Sequence, residues 1–149
     1  MKVECKINSD YKEPYAVLHI DKMTTKIAEM ITVLEKENVN SITLNAVKDK
    51  KTYFIKHECL AIVRSEGREI VCYDKDKNRY VLDKPLYELE RILDTHFIRI
   101  SKSTIVNINQ ISHVEAGFNG TMELVMKNGL TDYISRSFRR SFKERLGLE

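Results

Sequence analysis

Two periods divide the chain. Over residues 24–37, TTKIAEMITVLEKE, apolar side chains recur at Ile27, Met30, Ile31 and Leu34. That i, i+3, i+4, i+7 spacing predicts one apolar stripe on a helix. Asp21, Thr24 or Thr25 is a candidate cap at its start, and Asn38 and Asn40 are stop signals. From residue 41 the period falls to two. SITLNAV, KTYFIK, CLAIVRSE, REIVCYD, RYVLD, HFIRIS, TIVNINQISHVEA, TMELVMKN and LTDYISR all read as strands rich in Val, Ile, Thr and Tyr. Turn residues separate them in KDKK, SEGRE, DKDKN, GFNG and KNG, and the Asn128-Gly129 pair predicts a hairpin. Two helical pieces interrupt the run. PLYELERILD opens on Pro85 and carries Leu86, Leu89, Ile92 and Leu93; SFRRSFKERLGL places Phe138, Phe142 and Leu146 four residues apart. At the front, VECKI (3–7) and YAVLHI (15–20) read as two short strands split by polar residues and Pro14. The expected fold class is mostly β, α+β overall. A strand–helix appendage over 1–40 precedes a β domain over 41–149.

One stretch breaks its own alternation. In FIRISKSTIVNINQI, residues 97–111, Ile98 and Ile100 alternate with Arg99, and then Ser101-Lys102-Ser103 interrupts before Thr104, Val106 and Ile108 resume. A plain strand has no need of that polar knot.

Composition narrows the classes. The 149 residues suit one domain, or one domain with a small appendage, and 42% apolar content supports a core. A net charge of +3 says little about a polyanion partner. No apolar run approaches the ~18–20 residues of a membrane span, and MKVECKINSD has no secretory apolar core. Cys5, Cys59 and Cys72 are odd in number and far apart, which argues against a disulfide framework or a cysteine-rich zinc site. The cytosol is the expected compartment, with no membrane insertion.

Enzyme chemistry finds little support. His19, His57, His96 and His113 lack metal-ligand spacing, and no nucleophile elbow, Walker loop or dinucleotide fingerprint is present. Cys59 and Cys72 lie in apolar strand contexts and are expected to fill the core. Asp74 and Asp76 belong to a solvated turn. Asn107 is expected to satisfy a turn or an edge backbone group. No catalytic set, metal or cofactor is expected.

The basic residues are unevenly placed. Residues 1–38 carry six lysines and seven acids, whereas 136–145 carries Arg136, Arg139, Arg140, Lys143 and Arg145 against Glu144 alone. Arginine presents a planar fork of donors suited to phosphate oxygens and to the guanine edge. Two strand connections share this chemistry: Arg64-Ser65-Glu66-Gly67-Arg68 and Arg99-Ile100-Ser101-Lys102-Ser103. Short side chains beside cations let a turn approach a phosphate backbone closely.

These residues resemble a known family. Phe97 to Asn107 resembles the central signature of the LytTR DNA-binding domain, roughly F-x-R-[IV]-[HS]-[RK]-S-x-[IL]-V-N, followed here by Ile108-Asn109-Gln110-Ile111. Leu124 to Lys127 with Asn128-Gly129 resembles its L-x-N-G hairpin, and Ile134-Ser135-Arg136-Ser137-Phe138 with Lys143 resembles its ending. Pro85 to Glu90 resembles the short helix before the signature. The similarity spans about residues 41–149. It implies a mostly β fold of stacked small antiparallel sheets, and sequence-specific binding of double-stranded DNA by a bacterial transcriptional regulator. It also implies loops entering major grooves of a site built of direct repeats. Carried over, one loop is Ser101, Lys102 and Ser103; a second holds Arg64, Ser65 and Arg68; a third region holds Arg136 and Ser137, with Arg139 and Arg140 beside it. Arg99 is either a DNA-backbone contact or the structural partner of an acid such as Glu90. The family often has a second arginine where Ser137 stands, and His where Ser101 stands.

Many members carry a receiver domain in front, for which the roughly 40 residues before the β domain are too few; no aspartyl-phosphate control is expected. The stripe Ile27, Met30, Ile31 and Leu34 packs on its own β domain or forms a homodimer. An alternative is a β-rich RNA- or single-strand-binding module, which needs exposed aromatics for stacking. Tyr53, Phe54, Tyr80 and Tyr133 sit in strand patterns, and none is expected to cluster with the arginines carried over as DNA contacts.

Overall fold

A computed structural model of the chain describes residues 1–10, 15–35, 42–93 and 96–148. Residues Met1–Val39 and Asn40–Glu149 form two compact units.

In the first unit, helix α1 runs Thr25–Glu35. Thr24 starts it, its Oγ1 accepting from the Ile27 amide at 3.2 Å. The expected helix end at 36–37, Asn38, Asn40 and Pro14 lie outside the described residues. No α1 residue is buried; Ile27 and Ile31 are half-buried, whereas Met30 and Leu34 are exposed. The two expected strands differ from the structure. Residues 3–7 and 15–20 enter no sheet, and Val3, Ile7 and Val17 are exposed. A strand is held by the ladder of a partner, and strand-forming side chains alone do not supply one.

The second unit holds ten strands and two α-helices among the described residues, with all strand pairs antiparallel. Strands β1 (Thr43–Lys48), β2 (Lys51–Lys56), β3 (Leu60–Glu66), β4 (Glu69–Asp74), β5 (Arg79–Leu82), β6 (Phe97–Ser101) and β7 (Thr104–Asn107) make one sheet. Its order is β2-β1-β5-β4-β3-β7-β6. Strands β8 (Ile111–Ala116), β9 (Met122–Met126) and β10 (Thr131–Ile134) make the other. Helix α2 (Leu86–Ile92) follows β5, and α3 (Arg136–Leu146) closes the chain.

Alternation in the large sheet feeds two cores. Val63 pairs with Ile105, and both join Leu44, Ala46, Cys72 and the α2 residues Leu86 and Leu89 on one face. The adjacent pair Ile62 and Val106 points the other way, to Leu124, Met126, Ile134 and Phe142 of the small sheet and α3. The run Leu60-Ala61-Ile62-Val63 is buried throughout because both faces of β3 are covered. Phe138 and Leu146 flank Phe142 in the second core, so the four-residue spacing in α3 does form its packed side.

Two local expectations differ from the structure. TIVNINQISHVEA is not one strand: β7 ends at Asn107, a 3-10 turn covers Ile108–Gln110, and β8 begins in the other sheet. Asn107 makes the break, since its Oδ1 accepts from the Asn109 amide at 3.0 Å. Cys59 is exposed in a 3-10 turn over His57–Cys59, and only Cys72 is a core residue. Burial and the nearby Asp74 charge push the Cys72 thiol up to about 12. Elsewhere the turn chemistry matches expectation. Asp74 Oδ1 accepts from the amides of Asp76 and Asn78, and Gly129 takes positive φ between β9 and β10.

Candidate nucleic-acid interface

The β3–β4, β6–β7 and β10–α3 connections meet at one end of the second unit. Arg64 pairs with Thr104 as β3 and β7 run side by side. Beyond that pair, the Ser65 amide donates to the Ser103 carbonyl at 2.9 Å, so the first two turns touch. The third joins through β6, where the Ser135 amide donates to the Ile100 carbonyl at 2.9 Å. Thr104 Oγ1 donates to Asp132 of β10 at 2.9 Å. Gly67, Arg68, Lys102, Ser103, Arg136 and Ser137 are all exposed there.

Each turn has a local cause. Gly67 and Arg68 form a two-residue hairpin tip with Gly67 at φ 63°, a conformation that glycine adopts without a Cβ penalty. The β6–β7 turn answers the polar knot. Ladder register slips between Arg99 and Ser101, and the slack is filled by hydrogen bonds. Ser101 Oγ accepts from the Ser103 amide at 3.2 Å. Arg99 Nε donates to the Ser101 carbonyl at 3.0 Å, and a terminal nitrogen donates to the Lys102 carbonyl. Its other terminal nitrogen is 2.7 Å from Glu90 of α2. Arg136 opens α3, after Ser135.

The expected contact residues fall into two groups. Arg68, Lys102 and Arg136 are exposed and enter no ion pair among the described residues. The exposed Ser103 and Ser137 and the half-buried Ser65 and Ser101 lie with them. The guanidinium of Arg64 is occupied: it is 2.8 Å from Glu66, 3.5 Å from Asp132 and over the Tyr73 ring. Its side chain is only 22% exposed. Arg99 is similarly engaged. Arg139 donates to the Ile134 carbonyl at 3.4 Å and lines a groove with Val114, Met122 and Leu146, and Arg140 pairs with Glu144 on the outside of α3.

Sequence reasoning missed the ion network below the first turn. Glu66 accepts from Arg64, from Tyr73 Oη at 2.8 Å and from Arg79, which also pairs with Glu69. Burial pushes the Glu66 carboxyl up, but hydrogen bonds from Arg64 and Tyr73 and the Arg64 charge outweigh it, holding it below the ordinary range. Both acids that flank the Gly67-Arg68 tip are therefore matched by arginines, while Arg68, Lys102 and Arg136 stand exposed. The i, i+2 spacing of Arg64 and Glu66 on one strand face was the signal available. Asn107, at the end of the signature, is 3% exposed and donates to the Leu60 carbonyl at 2.9 Å. Among the described residues no cluster of three or more His, Cys, Asp or Glu could hold a metal, and no helix is long and apolar enough to cross a membrane.

Comparison with known proteins points the same way as the turns. The family model of the LytTr DNA-binding domain matches residues 50–147. An uncharacterized HTH-type transcriptional regulator of Staphylococcus aureus (strain MRSA252) is 32% identical over 148 residues, covering 99% of both chains. A counterpart in strain NCTC 8325 / PS 47 is 31% identical with the same coverage. Among solved structures, a LytTr DNA-binding domain from Bacillus cereus superposes with a TM-score of 0.68 at 21% identity, covering 73% of this chain and all of that one. Although these relatives carry a helix-turn-helix label, no two successive elements here are both α-helices among the described residues.

Proposed function

As a member of the LytTr DNA-binding domain family, this chain is a DNA-binding transcriptional regulator, and we propose that it reads duplex DNA with three turns at one end of its β unit. The observation that carries this reading is the meeting of Gly67-Arg68, Lys102-Ser103 and Arg136-Ser137 at that end, tied by the Ser65–Ser103 and Ser135–Ile100 hydrogen bonds. Lys102 and Arg68 have the reach for base edges in the major groove, and Arg136 that for an adjacent phosphate. Ser101, Ser103, Ser137 and Ser65 supply short donors that let the backbone approach phosphates. Arg64 and Arg99 shape the turns. Arg139 and Arg140 lie farther along α3 and add at most peripheral charge.

The target is a pair of direct repeats bound by two copies. Self-association through Ile27, Met30, Ile31 and Leu34 of α1 suits that arrangement, since the stripe is only partly covered. Residues 1–40 then serve as an appendage and 41–149 as the DNA-binding domain, working where bacterial DNA is, in the cytoplasm. A single-strand reading is weaker. Phe54 is exposed on β2 and Tyr133 on β10, and among the described residues the arginine stacked on a ring is Arg64, over the half-buried Tyr73.

Selection of bound duplexes from a random pool tests this. Enrichment of a repeated motif, with affinity that falls steeply as salt rises, supports it. Equal or better binding to single strands refutes it.

A further inference from the structure

The Arg99 guanidinium uses all three nitrogens inside the protein. Nε and one terminal nitrogen hold the carbonyls of Ser101 and Lys102, the two residues that carry the chain into the tip of the β6–β7 turn. The other terminal nitrogen meets a Glu90 oxygen at 2.7 Å. The arginine side chain is 19% exposed and fills the place where the β6–β7 register slips. Glu90 rides on α2, whose Leu86 and Leu89 are buried in the core of the large sheet. A charge-assisted fork of this kind fixes direction as well as distance.

We propose that Arg99 is a positioning residue: anchored by Glu90, it clasps the Ser101 and Lys102 carbonyls and so aims the Lys102 side chain at its base. This deepens the duplex-reading function and rests on it. The clasp sets specificity through the turn and contributes no phosphate contact of its own. A phosphate-binding Arg99 makes the opposite predictions, because Glu90 then only competes with DNA for the guanidinium.

The test uses the full-length chain, a duplex carrying the selected site, and a scrambled duplex of equal length. Glu90→Ala removes the anchor, and Glu88→Ala removes the same charge from the same helix while touching Lys84 instead. Both remove a negative charge and raise affinity for scrambled DNA slightly. Glu90→Ala alone lowers the ratio of specific to scrambled affinity, by about tenfold if one base contact is misaimed. Arg99→Lys, which keeps the charge but loses the fork, lowers the ratio similarly and leaves the slope of log affinity against log salt unchanged. A readout without DNA accompanies these: amide resonances of Lys102, Ser103 and Thr104 move in Glu90→Ala and stay in Glu88→Ala. Equal ratios in the two glutamate variants overturn the clasp, as does an Arg99→Ala salt slope shallower by about one. A wild-type chain that does not discriminate between the duplexes overturns the duplex-reading function and the clasp together.

Discussion

Replacing Asn107 with alanine separates a signature residue that builds the fold from those that meet DNA. Asn107 is buried at the end of β7. Its Nδ2 donates to the Leu60 carbonyl at 2.9 Å, and its Oδ1 accepts from the Asn109 amide at 3.0 Å. The first bond ties β7 to the start of β3; the second closes the turn that sends the chain to the other sheet. Alanine removes both. A buried polar group stripped of its partner costs ~1–3 kcal/mol, and the amide of exposed Asn109 can turn to water for ~0.5–1 kcal/mol more, so the loss is about 3 kcal/mol. For a unit of this size that lowers the melting midpoint by roughly 10 °C. Asn107→Asp is at least as harmful, because it keeps the acceptor but sets a carboxylate oxygen against the Leu60 carbonyl. Urea titration followed by circular dichroism measures the loss. Duplex binding well below the midpoint should still distinguish specific from scrambled DNA as the wild type does. A variant as stable as wild type, within ~0.5 kcal/mol, but unable to discriminate, refutes this reasoning and makes Asn107 a reader.

Further outcomes follow from the same structure. Lys102→Ala should relax preference at one base pair by ~1–3 kcal/mol in a binding series over single-base substitutions, whereas uniform weakening across all of them would make it a phosphate contact. Cys5 and Cys59 should react with a thiol reagent in the native chain and Cys72 only after denaturation, since Cys72 is buried with its thiol pushed up to about 12; three fast thiols in the native chain would contradict the placement of Cys72. Because the Glu66 carboxyl lies below its ordinary value of 4.5, its contribution to stability is present above that pH and lost as pH falls through the lower folded value. The gap in melting midpoint between wild type and Glu66→Gln should therefore be full at pH 6 and narrow in acid below about pH 4, and a gap that widens there would reverse the sign argued for the Arg64–Glu66–Arg79 network.

Much of the fold was legible because alternation and turn chemistry agreed. KTYFIK is β2 from end to end, REIVCYD gives β4, and Asn128-Gly129 closes β9 and β10. The rest was not legible because the deciding contacts are distant in sequence. Period two runs on through Asn107 and Ile111, so only the side-chain hydrogen bonds of Asn107 reveal that the chain changes sheets there. The segments at 3–7 and 15–20 have strand composition but pair with no strand among the described residues. The site divides similarly. Sequence picked out two of the turns by their Arg, Lys and Ser content and the third through the family resemblance, but it could not show that Arg64 is held by Glu66 and Asp132, or that β3 lies beside β7 and so brings Ser65 against Ser103.

The central claim is that three turns at one end of the β unit form a single DNA-facing surface. Amide chemical-shift mapping of the full-length chain titrated with its selected duplex tests it most directly. Perturbations concentrated at 66–68, 101–103 and 135–137 are predicted, with the β2 edge strand and its Phe54 little changed. Perturbations centred on β2, or on the groove beside Val114 and Met122, with those three turns unmoved, would contradict it.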